Sequence, residues 1–559
     1  MKKILLILVA ICCSQWSAAQ IPTLQGKGKQ TKLMVDGKPF VMLSGELHNS
    51  TASSIAYMEK ERTFQRMKDM GLNSVIATIS WEQFEPTEGT FDYTLMDYLL
   101  KQANEKDLRL SIIWFGTFKN PFMTYAPSWV KKDAKRFPRA VDDKGKELEM
   151  MSLFGKNIAQ ADAKAYATLL KYLKEKDTTH RVIMMQIENE PGLSGTYRDY
   201  SEAANKAYEG EVPAELISYL KKNKNTLQPD VKAAWEEAGC KTKGSWEEIF
   251  GKSVYEKVEG QDKILHLTEH LFTAWHYGKF LNEVSKAGKE VYALPTFVNA
   301  SVFGKFARGN SLGNGCSIAD FLDIYRCAAP YMDVFTPNSY MQELDWLCEQ
   351  FQWKDNPILI PESTLVAARG LFVIGEHSAL CFSPFGIDAT AQEMNPARAK
   401  QEQLLRDSYN ALSSMGNVLT DKLGTPQLRG VYLYPGHESQ TITMGKWELS
   451  FGPKKGFDIG ALMAPAGGGF KAEEKPKTEG GALIVQTAED EFYVVGYGFN
   501  CDMKLANPGK TRFAGYDTIY EGHFQDGKFI PGRLLNGDER NVFAEKDELK
   551  VLKVNTYSY

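Results

Sequence analysis

The chain has 559 residues, 43% of them hydrophobic and 24% charged, with 66 Lys and Arg against 70 Asp and Glu for a formal net charge of −4. That length exceeds one ordinary domain and can bury a large core, while the composition excludes collagen-like and disordered classes. The lack of a basic excess argues against a nucleic-acid partner, and no apolar stretch after residue 20 is long enough to span a bilayer.

At the amino terminus, Lys2 and Lys3 precede the apolar stretch Ile4–Cys13, and Ser17-Ala18-Ala19 follows with small residues. That order predicts a signal peptide over residues 1–19 and an exported, periplasmic or secreted protein. Ile11 stands before Cys12 where a lipidation site would want a small residue, which argues against a lipid anchor. Six cysteines remain beyond it: Cys240, Cys316, Cys327, Cys348, Cys381 and Cys501. Their wide spacing fits buried thiols better than a zinc site.

Eight apolar, β-branched runs come next: Phe40–His48, Ser74–Trp81, Arg109–Phe118, Val182–Glu190, Glu290–Asn299, Asp333–Tyr340, Pro357–Glu362 and Ala379–Ile387. Helical patterns lie between or after them, including Ala56–Met70, Ala163–Lys176, Ile264–Ala287 and Arg398–Met415. Runs that start apolar are typical of parallel strands buried on both faces. Seven of the eight carry polar or aromatic residues toward their ends. Eight such units predict a (β/α)8 TIM barrel over residues 20–424, an α/β fold whose sites lie at strand C-termini; a doubly wound sheet is the competing topology. A Lys- and Glu-rich helical insertion is expected over Tyr197–Gly260, with Lys221–Lys224 on a solvated face.

Near Thr425 the pattern changes. Short alternating strands such as Ala482–Gln486, Glu491–Tyr497 and Glu548–Val554 predict a smaller antiparallel β-sandwich-like domain over residues 425–559. Pro465–Phe470 and Lys471–Gly481 read as a charged, glycine-rich loop.

The strongest local motif is Gln186-Ile187-Glu188-Asn189-Glu190-Pro191-Gly192. Strand alternation points Gln186, Glu188 and Glu190 into the barrel, with Glu190 left at its lip by Pro191-Gly192. A second carboxylate, Glu362, ends the seventh run. The fourth and seventh strands face each other across a barrel mouth. Two carboxyls there are what glycoside hydrolysis needs, one to protonate the leaving oxygen and one to attack or activate water. Glu46-Leu47-His48 reads first as a satisfied core pair and second as a catalytic one. His266 and His270 share a helix face but lack the HExxH order, so no metal is expected there.

With these stretches in view, the chain resembles glycoside hydrolase family 35, the retaining clan A β-galactosidases. The matching segments are Val35–Phe40, Ser44–His48, Gly71–Val75, Trp81–Pro86 with Gly89–Asp92, and Gln186–Gly192. The carboxy-terminal β region looks like the domain appended in one bacterial branch of that family.

The resemblance implies Glu190 as acid/base, Glu362 as nucleophile, Asn189 as partner of the sugar 2-hydroxyl, Glu85 as a binder of terminal-sugar hydroxyls and Tyr340 as the residue orienting the nucleophile. Trp114, and Trp129 beside it, are expected to stack on sugar faces. Asn49 stands where the family has Tyr, and Trp114–Asn120 departs toward related family 42 enzymes, which bears on substrate more than on reaction. The expected protein is a cofactor-free, metal-independent exo-glycosidase acting on a terminal β-galactoside. A same-clan enzyme for β-glucosamine, arabinopyranose or fucose units, or a carbohydrate-binding protein on an inactive barrel, stays open beside it.

Overall fold

The computed structural model describes residues 20–253, 255–258, 261–264, 268–301, 313–389, 394–453 and 479–559. Residues 1–19, where a signal peptide is expected, His266, and most of the loop expected between Pro465 and Gly481 lie outside the described residues; Gly480 and Gly481 already belong to a strand.

Eight strands succeed one another in chain order: β1 (Met42–Leu43), β2 (Ser74–Ser80), β3 (Arg109–Lys119), β4 (Val182–Asn189), β5 (Thr296–Ala300), β6 (Val334–Pro337), β7 (Ile360–Ser363) and β8 (Cys381–Pro384). Strands β2 to β6 form one parallel sheet, and β7, β8 and β1 form another. Two parallel bridges complete the ring, Glu46 with Ile76 between β1 and β2, and Ser339 with Ser363 between β6 and β7. Each strand is followed by a helix: α1 (Thr63–Asp69), α2 (Thr94–Lys106), α3 (Lys156–Lys176), α4 (Thr268–Val291), α5 (Leu322–Ala328), α6 (Leu344–Phe351), α7 (Ala367–His377) and α8 (Pro396–Met415). The molecule is a TIM barrel carrying a separate antiparallel β domain.

The local reasons are visible. Every residue of β2 is buried, as its β-branched Ser-Val-Ile-Ala-Thr-Ile-Ser sequence suits a strand covered on both faces. In α3, Ile158, Asp162, Ala165, Tyr166, Leu169, Leu170 and Leu173 recur at helical spacing and are buried. The helix expected over Ala56–Met70 instead breaks into Ile55–Lys60 and α1, because Arg62 between them takes a left-handed φ of 52°. The insertion after β4 is four short helices, Glu202–Glu209, Ala214–Asn223, Pro229–Glu237 and Trp246–Phe250, with Lys221 and Lys222 exposed.

Ile76, Ile113, Phe115, Met184, Phe297 and Leu359 fill the barrel together with Leu33 and Val35 of an amino-terminal three-stranded sheet. Burying each aliphatic side chain there is worth about 1.5–3 kcal/mol. With that end filled by apolar side chains, polar groups gather at the strand C-termini.

The β domain packs a six-stranded sheet on a four-stranded one, both antiparallel. Ile442, Trp447, Leu449, Ile484, Val494 and Leu552 fill the space between. The opposite face of the six-stranded sheet meets α7. Gly375 of α7 and Gly430 of strand Leu428–Leu433 make that close approach possible. A Cβ on Gly375 would stand 2.5 Å from the Arg429 carbonyl oxygen, and one on Gly430 would crowd the Phe372 carbonyl. Beside them, Arg369 donates to Glu479 (3.2 Å) and Tyr432 (3.1 Å), and Arg429 donates to Glu376 (2.8 Å).

Among the described residues all six cysteines are unpaired, and Cys316, Cys348, Cys381 and Cys501 are buried. None of the described helices is long and apolar enough to cross a membrane.

Candidate active site

The end of β4 decides the geometry. Glu188 and Glu190 both take left-handed backbone conformations, with φ of 60° and 48°. Such residues are rare outside glycine and cluster where a site demands them. They break the alternation that would have aimed Gln186, Glu188 and Glu190 together. Glu188 turns toward β3, where it accepts from the backbone N–H of Thr117 (3.1 Å) and Phe118 (2.6 Å). It also shares a hydrogen bond with Asp162 of α3. Glu190 turns the other way, into the mouth.

There, Glu190 Oε1 accepts from Asn338 Nδ2 (2.6 Å), and its backbone N–H donates to Asn299 Oδ1 (2.8 Å). The same Asn299 donates through Nδ2 to Glu362 Oε1 (2.9 Å). Tyr340 donates its hydroxyl to Glu362 Oε2 (2.9 Å). Asn189, with its amide nitrogen toward Glu362 Oε1 (3.2 Å), accepts from Lys119 Nζ through its oxygen (2.9 Å). Glu190, Glu362, Asn189 and Tyr340, singled out in the sequence, are thus brought into one hydrogen-bonded cluster across strands β4 to β7.

Charge distinguishes the two carboxyls. Burial, and then the negative Glu362 beside it, push Glu190 up to about 8, against the pull of Lys119 and the Asn338 amide. Burial also raises Glu362, but Lys119 and hydrogen bonds from Tyr340, Asn338 and Asn299 draw it back. Three donors stabilise a charge on Glu362, whereas Glu190 has one side-chain donor. Glu190 is therefore the group that keeps its proton near neutrality and Glu362 the one that ionises.

Two expectations are corrected. Trp114 is fully buried and points out of the barrel, because Ile113 and Phe115 take the inward positions of β3. It packs on Phe84 and Tyr166 and donates to Asp162 (2.7 Å), so it has no face for a sugar. Trp129 likewise lies edge-on to Trp81 and Phe137 and donates to the Glu85 carbonyl (3.1 Å). Glu85 is buried with both carboxyl oxygens committed, one to Trp81 Nε1 (2.8 Å) and one to the Gly89 N–H (2.7 Å). It holds its own turn rather than facing a substrate. His270 is a buried helix residue whose imidazole burial pushes down to about 4.

Lys119, Asn299, Asn338 and Glu46 complete the cluster. The first three were not assigned roles from sequence, although signals existed. Lys119 ends β3, Asn299 lies in β5 next to its last residue, and Asn338 sits two residues before Tyr340, the spacing that puts two side chains on one face of an extended strand. Asn49 lines an open cleft with Thr78, Ser80, Gln83 and Tyr125.

Residues 32–286 match the model for glycosyl hydrolases family 35, and residues 405–545 match a domain of unknown function, DUF5597. No curated protein sequence matches the chain. Solved structures similar to it include a β-galactosidase from Bacillus circulans sp. alkalophilus, at TM-score 0.46 and 15% identity over 68% of this chain and 57% of that one. A cold-adapted β-galactosidase from Rahnella sp. R3 aligns at 0.45 and 16%, over 69% and 57%. A catalytic mutant of a family 42 β-galactosidase from G. stearothermophilus aligns at 0.46 and 12%, over 92% and 98%. The chain thus spans 57% of the length of the Bacillus and Rahnella enzymes, and at these scores none of the three speaks to its substrate. The match to glycosyl hydrolases family 35 lies within the barrel, over residues 32–286, and includes the strand that leads into Glu190.

Proposed function

We propose that the protein is an exported, retaining exo-glycosidase that removes terminal β-galactosyl units by double displacement. The observation that carries this reading is the unequal pair, a buried Glu190 with one side-chain donor, Asn338, beside a Glu362 met by Tyr340 and Asn299 and drawn toward charge by Lys119, an arrangement that favours the proton on Glu190.

In the first step Glu362 attacks the anomeric carbon. The bond to the leaving oxygen breaks as Glu190 passes its proton to it, giving a glycosyl ester on Glu362. That ester is neutral, so the charge that held Glu190's proton in place disappears and Glu190 becomes a competent base. It then takes a proton from water, the water oxygen attacks the anomeric carbon, and Glu362 is released. Two inversions retain the configuration. Asn189 is the group to meet the 2-hydroxyl, where hydrogen bonds strengthen in the transition state. Both carboxyls are deeply buried, with only 6% and 7% exposed, which supports a blind pocket that takes a chain end. Lys2, Lys3 and the apolar stretch after them support export.

A panel of nitrophenyl glycosides tests the sugar. Turnover of the β-galactoside is expected, and its absence beside turnover of a glucosaminide, arabinopyranoside or fucoside would replace the substrate. Proton NMR of the first-formed anomer tests retention, since an inverted product would exclude the ester. Terminal sequencing of protein from a periplasmic or culture fraction tests export, with a start at Gln20 expected.

A further inference from the structure

Glu46 has no part in that reaction, yet it stands among the groups that perform it. It follows β1 at the barrel rim, where its backbone is fixed on both sides. Its N–H donates to the Pro384 carbonyl (2.9 Å), its carbonyl accepts from Ile387 (3.2 Å), and it bridges to Ile76 and Phe385. Leu47 is buried in the core, so the neighbouring Glu46 side chain takes the opposite side. That side chain is 1% exposed, and among the described residues nothing hydrogen-bonds to its Oε2.

The charged groups around it are Glu362, Lys119, Glu190 and Asp388. Burial first, and the charge of Glu362 next, hold its carboxyl well above the usual range. The core pairing that the sequence suggested for Glu46 and His48 is not made, because His48 turns to Asp388 instead (2.9 Å). A buried carboxyl oxygen without a partner is costly to the fold, and proteins leave few of them. A ligand that supplies the missing partner removes the cost.

We propose that Glu46 is the residue that reads the sugar in this pocket, binding a ring hydroxyl of the terminal glycosyl unit while Glu190 and Glu362 act at its anomeric carbon. The inference rests on the glycosidase reading of that pair. A neutral carboxyl group both donates and accepts, and so does a sugar hydroxyl, so the two are complementary. An ionised carboxylate would instead suit the ammonium group of an amino sugar. That is the competing occupant.

The test compares wild type with Glu46→Gln and Glu46→Leu on a nitrophenyl glycoside that wild type turns over, and on its monodeoxy analogues. Glu46→Gln is expected to lower kcat/KM on the parent glycoside by about 30-fold or more. One deoxy analogue should lose a similar factor with wild type but change less than about threefold between wild type and variant, as expected when the contacted hydroxyl is already gone. Thermal stability should stay level or rise in both variants, since neither removes a satisfied interaction. An active wild type with a Glu46→Gln variant within about twofold of it, or a loss spread evenly over every analogue, overturns the proposal while leaving the catalytic pair intact. So does a loss confined to glucosaminides, which assigns the ammonium occupant. A wild type that turns over no glycoside overturns the catalytic reading and this one with it.

Discussion

Two buried carboxyl pairs draw on residues only two apart at the end of β4, Glu188 and Glu190, and they behave differently. Glu188 with Asp162 sits behind β3. There Asp162 accepts from Trp114 and Thr117, and Glu188 accepts from the Thr117 and Phe118 N–H groups. Gly116 is required at that point, since a Cβ would come within 2.5 Å of Asp162 Oδ2. Glu190 with Glu362 sits at the mouth, bridged by asparagine amides and edged by Lys119. The first pair has its oxygens enclosed by backbone and core, and the second faces the pocket. What separates a structural carboxyl pair from a candidate catalytic one is the direction two left-handed residues impose, not burial or proximity.

The comparison can be broken most forcefully at Glu362. A Glu362→Gln variant is expected to lose about 10⁴-fold or more in kcat while folding normally. Steady-state kinetics with circular dichroism would read both, and near-normal turnover would move the nucleophile elsewhere.

Glu190→Gln should cost about 10²–10⁴-fold on a substrate with a poor leaving group and much less on an activated aryl glycoside. In wild type, kcat/KM should fall as pH rises past about 8, where Glu190 loses its proton. On the activated substrate that basic limb should be absent from the variant. A limb that persists would assign the titration to another group.

Glu188→Ala tests the enclosed pair. It strands the Phe118 N–H group, while the Thr117 N–H keeps Asp162, with an expected loss of about 2–4 kcal/mol of stability in chemical denaturation. Its effect on kcat should be far smaller than that of Glu190→Gln. Trp114→Phe should cost about 1–3 kcal/mol through the lost bond to Asp162 and leave KM within about twofold, whereas a stacking residue would raise KM.

The smallest expected effect is a slope. Burial raises both Asp162 and Glu188 above their ordinary values. The folded state therefore holds protons that the unfolded chain releases. The pair's contribution is complete below the ordinary carboxyl range and erodes as pH rises through the raised values. Stability of Glu188→Gln should fall less between pH 5 and 8 than that of wild type, and parallel curves would remove the shared proton.

Much of the fold was legible because each barrel strand is a β-branched run between helical patterns, and a parallel sheet buried on both faces leaves that mark. Glu190 and Glu362 were legible because strand ends are where a barrel exposes polar groups. The orientation of Glu188 was not, since alternation assumes an unbroken strand. The register between β3 and β4 shifts between Trp114 and Lys119. Trp114 could have been placed outside by counting from Ile113 and Phe115, but an aromatic in a sugar enzyme invites the other reading. The commitment of Glu85 to Trp81, four residues earlier, is a helical contact that only the short helix Trp81–Phe84 reveals. Lys119 and Asn338 become meaningful only once three strands converge.

The glycine-to-glycine contact between α7 and the β domain has a consequence for how the molecule comes apart. Helix α7 is separated by three residues from the strand that ends in Glu362 and Ser363, and its outer side is roofed by the six-stranded sheet. Stripping off the roof would bare Phe372, orphan Arg369 and unsettle the anchorage of the proposed nucleophile. The appended module is a buttress, and heating should dismantle barrel and buttress in one transition.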